Sequence, residues 1–128
     1  MKAKILLVDD RESVLTSLRG LLCACDLLEA REGGAAIELA VSAKPDLVIL
    51  DINLPDMNGV DVMEKLALLR PRPVVIMLTG DDTIETTAKG VAAGAFAYIT
   101  KPFEAKELLE QVNKALVFAN KEKARRCQ

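Results

Sequence analysis

The 128-residue chain has no histidine and no tryptophan, and its aromatic residues amount to one tyrosine and three phenylalanines. Without histidine, the commonest general base and phosphoryl-carrying side chain is missing. Any chemistry must then run on carboxylates, lysine, hydroxyls or a metal. With so few rings the core has to be aliphatic. The three cysteines, Cys23, Cys25 and Cys127, form an odd set. Cys23 and Cys25 are too close for an ordinary disulfide framework, and neither a histidine nor a second cysteine pair completes a zinc site. They read as free thiols of a reducing compartment. A net charge of −2 gives no broad electrostatic reason for this domain to bind nucleic acid or an anionic membrane directly. No apolar run approaches the roughly 18–20 residues of a membrane span, and "MKAKILLVDD" meets acid too early for a signal peptide. A cytoplasmic chain is expected. There is also no "GxxxxGK[ST]" loop, which argues against a nucleotide cradle of that type; Gly33-Gly34 reads as a turn and helix start.

What is present is a regular alternation. Hydrophobic residues make up 51% of the chain, enough for one substantial core. Short apolar runs recur at Lys4 to Val8, Leu27 to Ala30, Leu47 to Leu50, Val74 to Leu78 and Ala97 to Thr100. Three of them are nearly continuous, as in strands buried on both faces of a parallel sheet. Between and after them come five stripes with helical spacing. The first carries Val14, Leu15, Leu18, Leu21 and Leu22, the second Ile37, Ala40 and Val41. The third, Val60, Met63, Leu66 and Ala67, follows Asn58 as N-cap. The fourth, Ile84, Ala88, Val91 and Ala92, follows Asp82 and Glu85 at capping-box spacing and contains Gly90. The last runs from Ala105 to Ala119. Five strands alternating with five helices predict an α/β fold: a doubly wound open parallel sheet with right-handed crossovers. The basic tail "NKEKARRCQ" either frays or continues the last helix.

Open α/β sheets bind ligands beyond the carboxyl ends of their strands, near the point where strand order reverses. The first run ends in Asp9 and Asp10, the third in Asp51, the fourth in Thr79, and the fifth in Thr100, Lys101 and Pro102. In the strand order 2-1-3-4-5 these ends are neighbours. Three carboxylates, a hydroxyl and an ammonium then converge on one edge. Crowded carboxylates call for a hard cation; Mg²⁺ takes one or two of them and bridges to phosphate. A carboxylate is itself a nucleophile toward phosphorus, and phosphoryl transfer needs mainly positioning and charge neutralisation.

The segments "ILLVDD", "LVILDINLPDMNG", "VVIMLTG" and "GAFAYITKPF", in that order and spacing, resemble the receiver domain of two-component response regulators. The resemblance runs from Lys4 to about Leu116 and implies a flavodoxin-like (βα)5 fold. It implies that Asp51 accepts a phosphoryl group from the phosphohistidine of a sensor histidine kinase or histidine phosphotransfer protein. It further implies that Asp10, Asp51 and the main-chain carbonyl of Asn53 hold Mg²⁺ (or Mn²⁺), with Asp9 acting through water. Lys101 would pair with the phosphoryl group, and the Lys101–Pro102 bond would be cis. Thr79 and Tyr98 would switch, repacking the surface of the fourth helix, fifth strand and fifth helix. Asn53 and Asp81 stand where the family tunes the lifetime of the acyl phosphate. Asp56 is left as a plain surface residue of the loop. The chain is then a phosphoacceptor and not an enzyme in its own right, with residues 1–120 as receiver and 121–128 as tail or start of a linker helix. Its output is an effector domain beyond Gln128 or a separate target, with a homodimer through the switch surface as a further arrangement of the family.

The chain departs from the winged-helix transcription branch in having Phe96-Ala97 before Tyr98 and no arginine in the last helix until Arg125. Its last third looks closer to receivers that precede an ATPase-type activator. Two alternatives stay open at this level. A haloacid-dehalogenase-like phosphohydrolase also uses Asp, Mg²⁺, hydroxyl and Lys, but needs an acid two residues after the nucleophile, where this chain has Asn53. The other is a pseudo-receiver that serves only as an interaction module.

Overall fold

The computed structural model describes residues 2–80 and 94–126. The expected fourth helix, with Asp82, Glu85 and Gly90, and the expected tuning residue Asp81 lie outside these residues. Five apolar runs form the strands β1 (Lys4–Val8), β2 (Asp26–Ala30), β3 (Leu47–Leu50), β4 (Val74–Thr79) and β5 (Ala97–Thr100). All pair in parallel in the order β2-β1-β3-β4-β5. The described helices are α1 (Glu12–Leu21), α2 (Gly33–Ala43), α3 (Gly59–Leu66) and, at the C-terminus, α4 (Ala105–Arg126). The second strand starts one residue earlier than its apolar run, at Asp26. The reason is backbone pairing: Lys4 partners Asp26 in the ladder, and the Asp26 amide donates to the Ala3 carbonyl. The last helix carries on through the basic tail to Arg126.

Why the strands are apolar throughout follows from the two cores. Side chains alternate across a strand, so Ile5, Leu7, Ile49, Ile76 and Ile99 point to one face, where Leu15, Leu18, Leu108 and Val112 of α1 and α4 cover them. Leu6, Val8, Val48, Leu50, Val75 and Met77 point to the other, against Ala36, Ala40, Val62, Met63 and Leu66 of α2 and α3. Small Ala36 and Ala40 let α2 sit close to the sheet. β3 and β4 are buried along their whole length.

Register then decides what meets at the carboxyl edge. Val8 is paired with Leu50, so the residues that follow, Asp9 and Asp51, leave the sheet side by side. Leu50 is paired with Met77, and Thr79 with Thr100, which brings Thr79 and Lys101 to the same edge. The strand order reverses between β1 and β3, and the acidic ends flank that point.

The energetic asymmetry between core and surface is testable. Ile76, fully buried between α4 and its strand neighbours, should lose about 2–5 kcal/mol of stability as Ile76→Ala. Val41→Ala, at a position 54% exposed on α2, should stay within about 0.5 kcal/mol of wild type. Urea unfolding followed by circular dichroism measures both.

Candidate functional site

Five side chains meet where β1, β3, β4 and β5 end. Asp9 and Asp51 are 2% and 6% exposed and Thr79 is fully buried; Asp10 is open to solvent. Carboxylate oxygens of Asp9, Asp10 and Asp51 all lie within 4.8 Å of one another. Lys101 reaches in from the end of β5, its Nζ 2.6 Å from Asp9 Oδ2 and 3.6 Å from Asp51 Oδ2. Asp9 is held from two sides, because its other oxygen accepts a bond from the Arg11 amide at 2.9 Å. The Lys101 main chain is anchored too: its amide donates to the Thr79 carbonyl at 2.7 Å. The Lys101–Pro102 peptide bond is cis, and so is Arg70–Pro71, which nothing in the sequence pattern had marked.

Asp51 sits on a tightly built turn. Its amide donates to the Val8 carbonyl at 2.9 Å, and the Asn53 amide approaches its Oδ1 at 3.4 Å. Asn53 and Asn58 form an isolated bridge that closes the following loop, and the Gly59 amide donates to the Ile52 carbonyl at 2.6 Å. Asn58 caps α3, accepting from the Val60 amide at 2.7 Å. A Cβ at Gly59 would stand 2.5 Å from the Asp51 carbonyl oxygen and 2.6 Å from Ile52 Cα, so only glycine lets α3 start this close to the acidic strand end. Tyr98 is half-buried on β5, packed against the cluster that also holds Met77 and Leu50.

Asp56 lies at the surface as expected, but it also has partners the sequence did not mark: its two carboxylate oxygens accept from the amides of Gly33 and Gly34 at 2.7 and 2.9 Å. The Gly34 and Gly33 amides hold its carboxyl below the usual carboxylate range. The physical reason lies in α2. Its N-cap, Glu32, offers no side-chain cap, so the exposed donors of the first turn take an acceptor from another loop. A helix starting on Gly-Gly behind a glutamate was the available signal. A second feature that spacing alone could not give is the Lys101–Asp9 ion pair, across 92 residues.

Burial pushes the Asp51 carboxyl above the usual carboxylate range; the Lys101 ammonium opposes this and Asp9 adds to it. Among the described residues, three carboxylates against one ammonium leave an excess of negative charge, gathered on hard oxygen atoms. That donor set fits a divalent cation such as Mg²⁺ or Mn²⁺ and suits neither soft nor nitrogen-seeking metals. Beside the edge, an open groove of about 880 Å³ runs along α1 to Lys101, lined in part by Arg11, Val14, Ser17, Leu21 and Phe103. Among the described residues no helix is long and apolar enough to cross a membrane.

The family described as response regulator receiver domain matches residues 5–113. Among similar proteins, the alkaline phosphatase synthesis transcriptional regulatory protein PhoP of Bacillus subtilis is 36% identical over 118 residues, covering 91% of this chain and 49% of that protein. The DNA-binding transcriptional regulator NtrC of Azospirillum brasilense is 35% identical over 117 residues, 89% of this chain and 24% of that protein. The chain thus spans half or less of the length of these relatives. A CheY-like response regulator receiver domain protein from Methanospirillum hungatei superimposes with a TM-score of 0.90 at 34% identity, covering 95% of this chain and 99% of that one. These matches favour neither the phosphohydrolase nor the pseudo-receiver alternative.

The raised Asp51 carboxyl gives a pH test in the absence of metal. Its folded pKa lies above its unfolded value, so the folded state binds the extra proton more tightly and loses stability as pH rises through that window. In EDTA at neutral pH, Asp51→Asn should therefore melt several degrees above wild type. The gap should close as pH falls to about 4, the unfolded carboxylate value. Thermal melts across pH check both the sign and the closure.

Proposed function

Because the chain belongs to the response regulator receiver domain family, we propose that Asp51 is its phosphoacceptor and that the cluster around it serves two-component phosphoryl transfer. The observation that carries this reading is the convergence of Asp9, Asp10, Asp51 and Lys101 within a few ångströms at the switch point of the sheet. An Asp51 carboxylate oxygen attacks the phosphorus of a phosphohistidine borne by a sensor histidine kinase or phosphotransfer protein. The phosphorus–nitrogen bond breaks, the imidazole keeps the electron pair and takes up a proton, and an acyl phosphate remains on Asp51. The absent histidine of this chain belongs, on this reading, to the donor. The groove along α1 is the docking path for that donor, since it runs to Lys101 and is open.

Asp10, Asp51 and the Asn53 main-chain carbonyl are the proposed Mg²⁺ ligands, with Asp9 in support through water. The cation would supply neutralisation of the charge on the transferred oxygens. Lys101 orients the same oxygens from the β5 side, and the buried Thr79 hydroxyl and Tyr98 are the proposed switch pair. Asn53 and Asp81 are both small, polar residue types of the kind that admit water, so the acyl phosphate should decay in minutes and not days. The chain acts as a phosphoacceptor and turns over no phosphate ester. Residues 1–120 are read as the receiver and 121–128 as the beginning of a linker helix, a reading supported by the continuity of α4 to Arg126. An effector domain or separate target in the cytoplasm receives the signal, with self-association through the Tyr98 surface as a further consequence.

Incubation with MgCl2 and acetyl phosphate should give one base-labile phosphoryl adduct by intact mass, absent in Asp51→Asn. An adduct of equal yield on Asp51→Asn would exclude Asp51 as acceptor. MgCl2 titrations should separate the neighbours: Asp10→Ala weakens binding at least tenfold, whereas Lys101→Ala, which removes a competing positive charge, does not weaken it.

A further inference from the structure

The loop between β3 and α3, residues 51–58, is tied down at three places. Its base is closed by the Asn53–Asn58 bridge and the Gly59–Ile52 bond. Its end is the Asn58 cap of α3. Its tip is Asp56, whose carboxylate reaches across to the Gly33 and Gly34 amides of α2, 23 and 22 residues back in the chain. Gly33 is not incidental. A Cβ at Gly33 would collide with Met57 and stand 2.9 Å from Val62 Cγ2, so α2 and the loop touch at a point where only hydrogen fits. At Gly34 the same construction meets Asp56 Oδ2 at 3.5 Å, an ordinary contact, so there the amide and not the lack of a side chain matters. The bidentate geometry fixes both the height and the rotation of the loop tip relative to α2, which one bond could not do.

We infer that Asp56 is a positioning residue for the metal-bearing loop: by clamping its tip to α2, it holds the Asn53 carbonyl where a divalent cation at Asp10 and Asp51 can use it. The inference rests on the proposed role of Asn53. Asp56 touches neither the cation nor the phosphoryl group; it acts through Leu54 and Pro55, the two residues between itself and Asn53. The coupling is reciprocal by thermodynamic linkage. A cation that orders Asn53 must also tighten the Asp56 clamp, and so shield the Gly33 and Gly34 amides on a different helix.

MgCl2 titration of the unphosphorylated chain, followed by amide hydrogen exchange and chemical shifts, tests this directly. Mg²⁺ should slow exchange at Gly33 and Gly34 in wild type and leave it unchanged in Asp56→Ala, whose Mg²⁺ affinity should fall about tenfold. Asp56→Asn, which keeps one carbonyl acceptor, should fall between the two; it decides the question alone if Asp56→Ala does not fold. Ala35→Gly loosens α2 at an exposed position without touching the clamp and should bind Mg²⁺ as wild type does. Wild-type Mg²⁺ affinity in both Asp56 variants, or an equal loss in Ala35→Gly, overturns the inference. An acetyl phosphate reaction on wild type keeps the two readings apart. If Mg²⁺ binds and protects Gly33 and Gly34 but Asp51 takes no adduct, the phosphoacceptor reading falls and the clamp stands.

Discussion

Mutual repulsion of three carboxylates is the constraint around which the carboxyl edge of the sheet is built. Left to themselves, Asp9, Asp10 and Asp51 would move apart; here their oxygens remain within 4.8 Å. Two of them are pinned by the ladder itself, since each follows the last residue of a buried strand and those residues are partners, Val8 with Leu50. Separating Asp9 from Asp51 would mean slipping β1 against β3, and a slip of one residue would turn every side chain to the wrong core. The aliphatic packing on both faces thus holds the charges together. Part of the repulsion is relieved locally, by Lys101 and by the Arg11 amide at Asp9. Burial, with a smaller contribution from the neighbouring Asp9, raises the proton affinity of Asp51.

The loop after Asp51 answers the same constraint from the other side. A free loop would let Asp51 swing into solvent and lower its energy. Instead it is closed at its base, capped into α3 and clamped to α2, and Gly59 allows the helix to start against the Asp51 carbonyl. Each of these contacts is modest, about 1 kcal/mol for a typical hydrogen bond and somewhat more for one to a charged group. Their value lies in acting on one short segment, where ordering entropy is shared among them.

Much of this was legible in the residues. Near-continuous apolar runs read as strands covered on both faces, and their alternation with helical stripes predicts a doubly wound sheet; the polar residue after each run then marks the edge. Asp9, Asp10, Asp51, Thr79 and Lys101 were all readable in this way. Contacts between remote loops were not. Asp56 sits between Pro55 and Met57 in what looks like any solvated turn, and only folding brings it to amides 22 and 23 residues away. The choice of Lys101 for Asp9 over Asp51 depends on a difference of 1.0 Å between 2.6 and 3.6 Å, which no spacing rule resolves. The first residue of β2 was missed by one because Asp26 joins through its backbone and not through an apolar side chain.

That choice by Lys101 also says how the edge can respond to a charge on Asp51. The lysine main chain is fixed by its bond to the Thr79 carbonyl, while its ammonium ends a flexible four-carbon stem with three rotatable donors. Asp9 holds it with one charge, at 2.6 Å, and that oxygen is nearly out of water. A phosphoryl group on Asp51 would bring up to two negative charges to the side where the ammonium already lies 3.6 Å away. Coulomb attraction in a poorly solvated site favours the larger charge, so the ammonium would shift its principal bond from Asp9 toward such a group. The stem can make that move without moving the backbone, and the backbone it hangs from is bonded to the end of β4, where Thr79 is buried. On the proposed reading of Asp51 as phosphoacceptor, the ends of β4 and β5 are where its charge would reach the packing of the sheet.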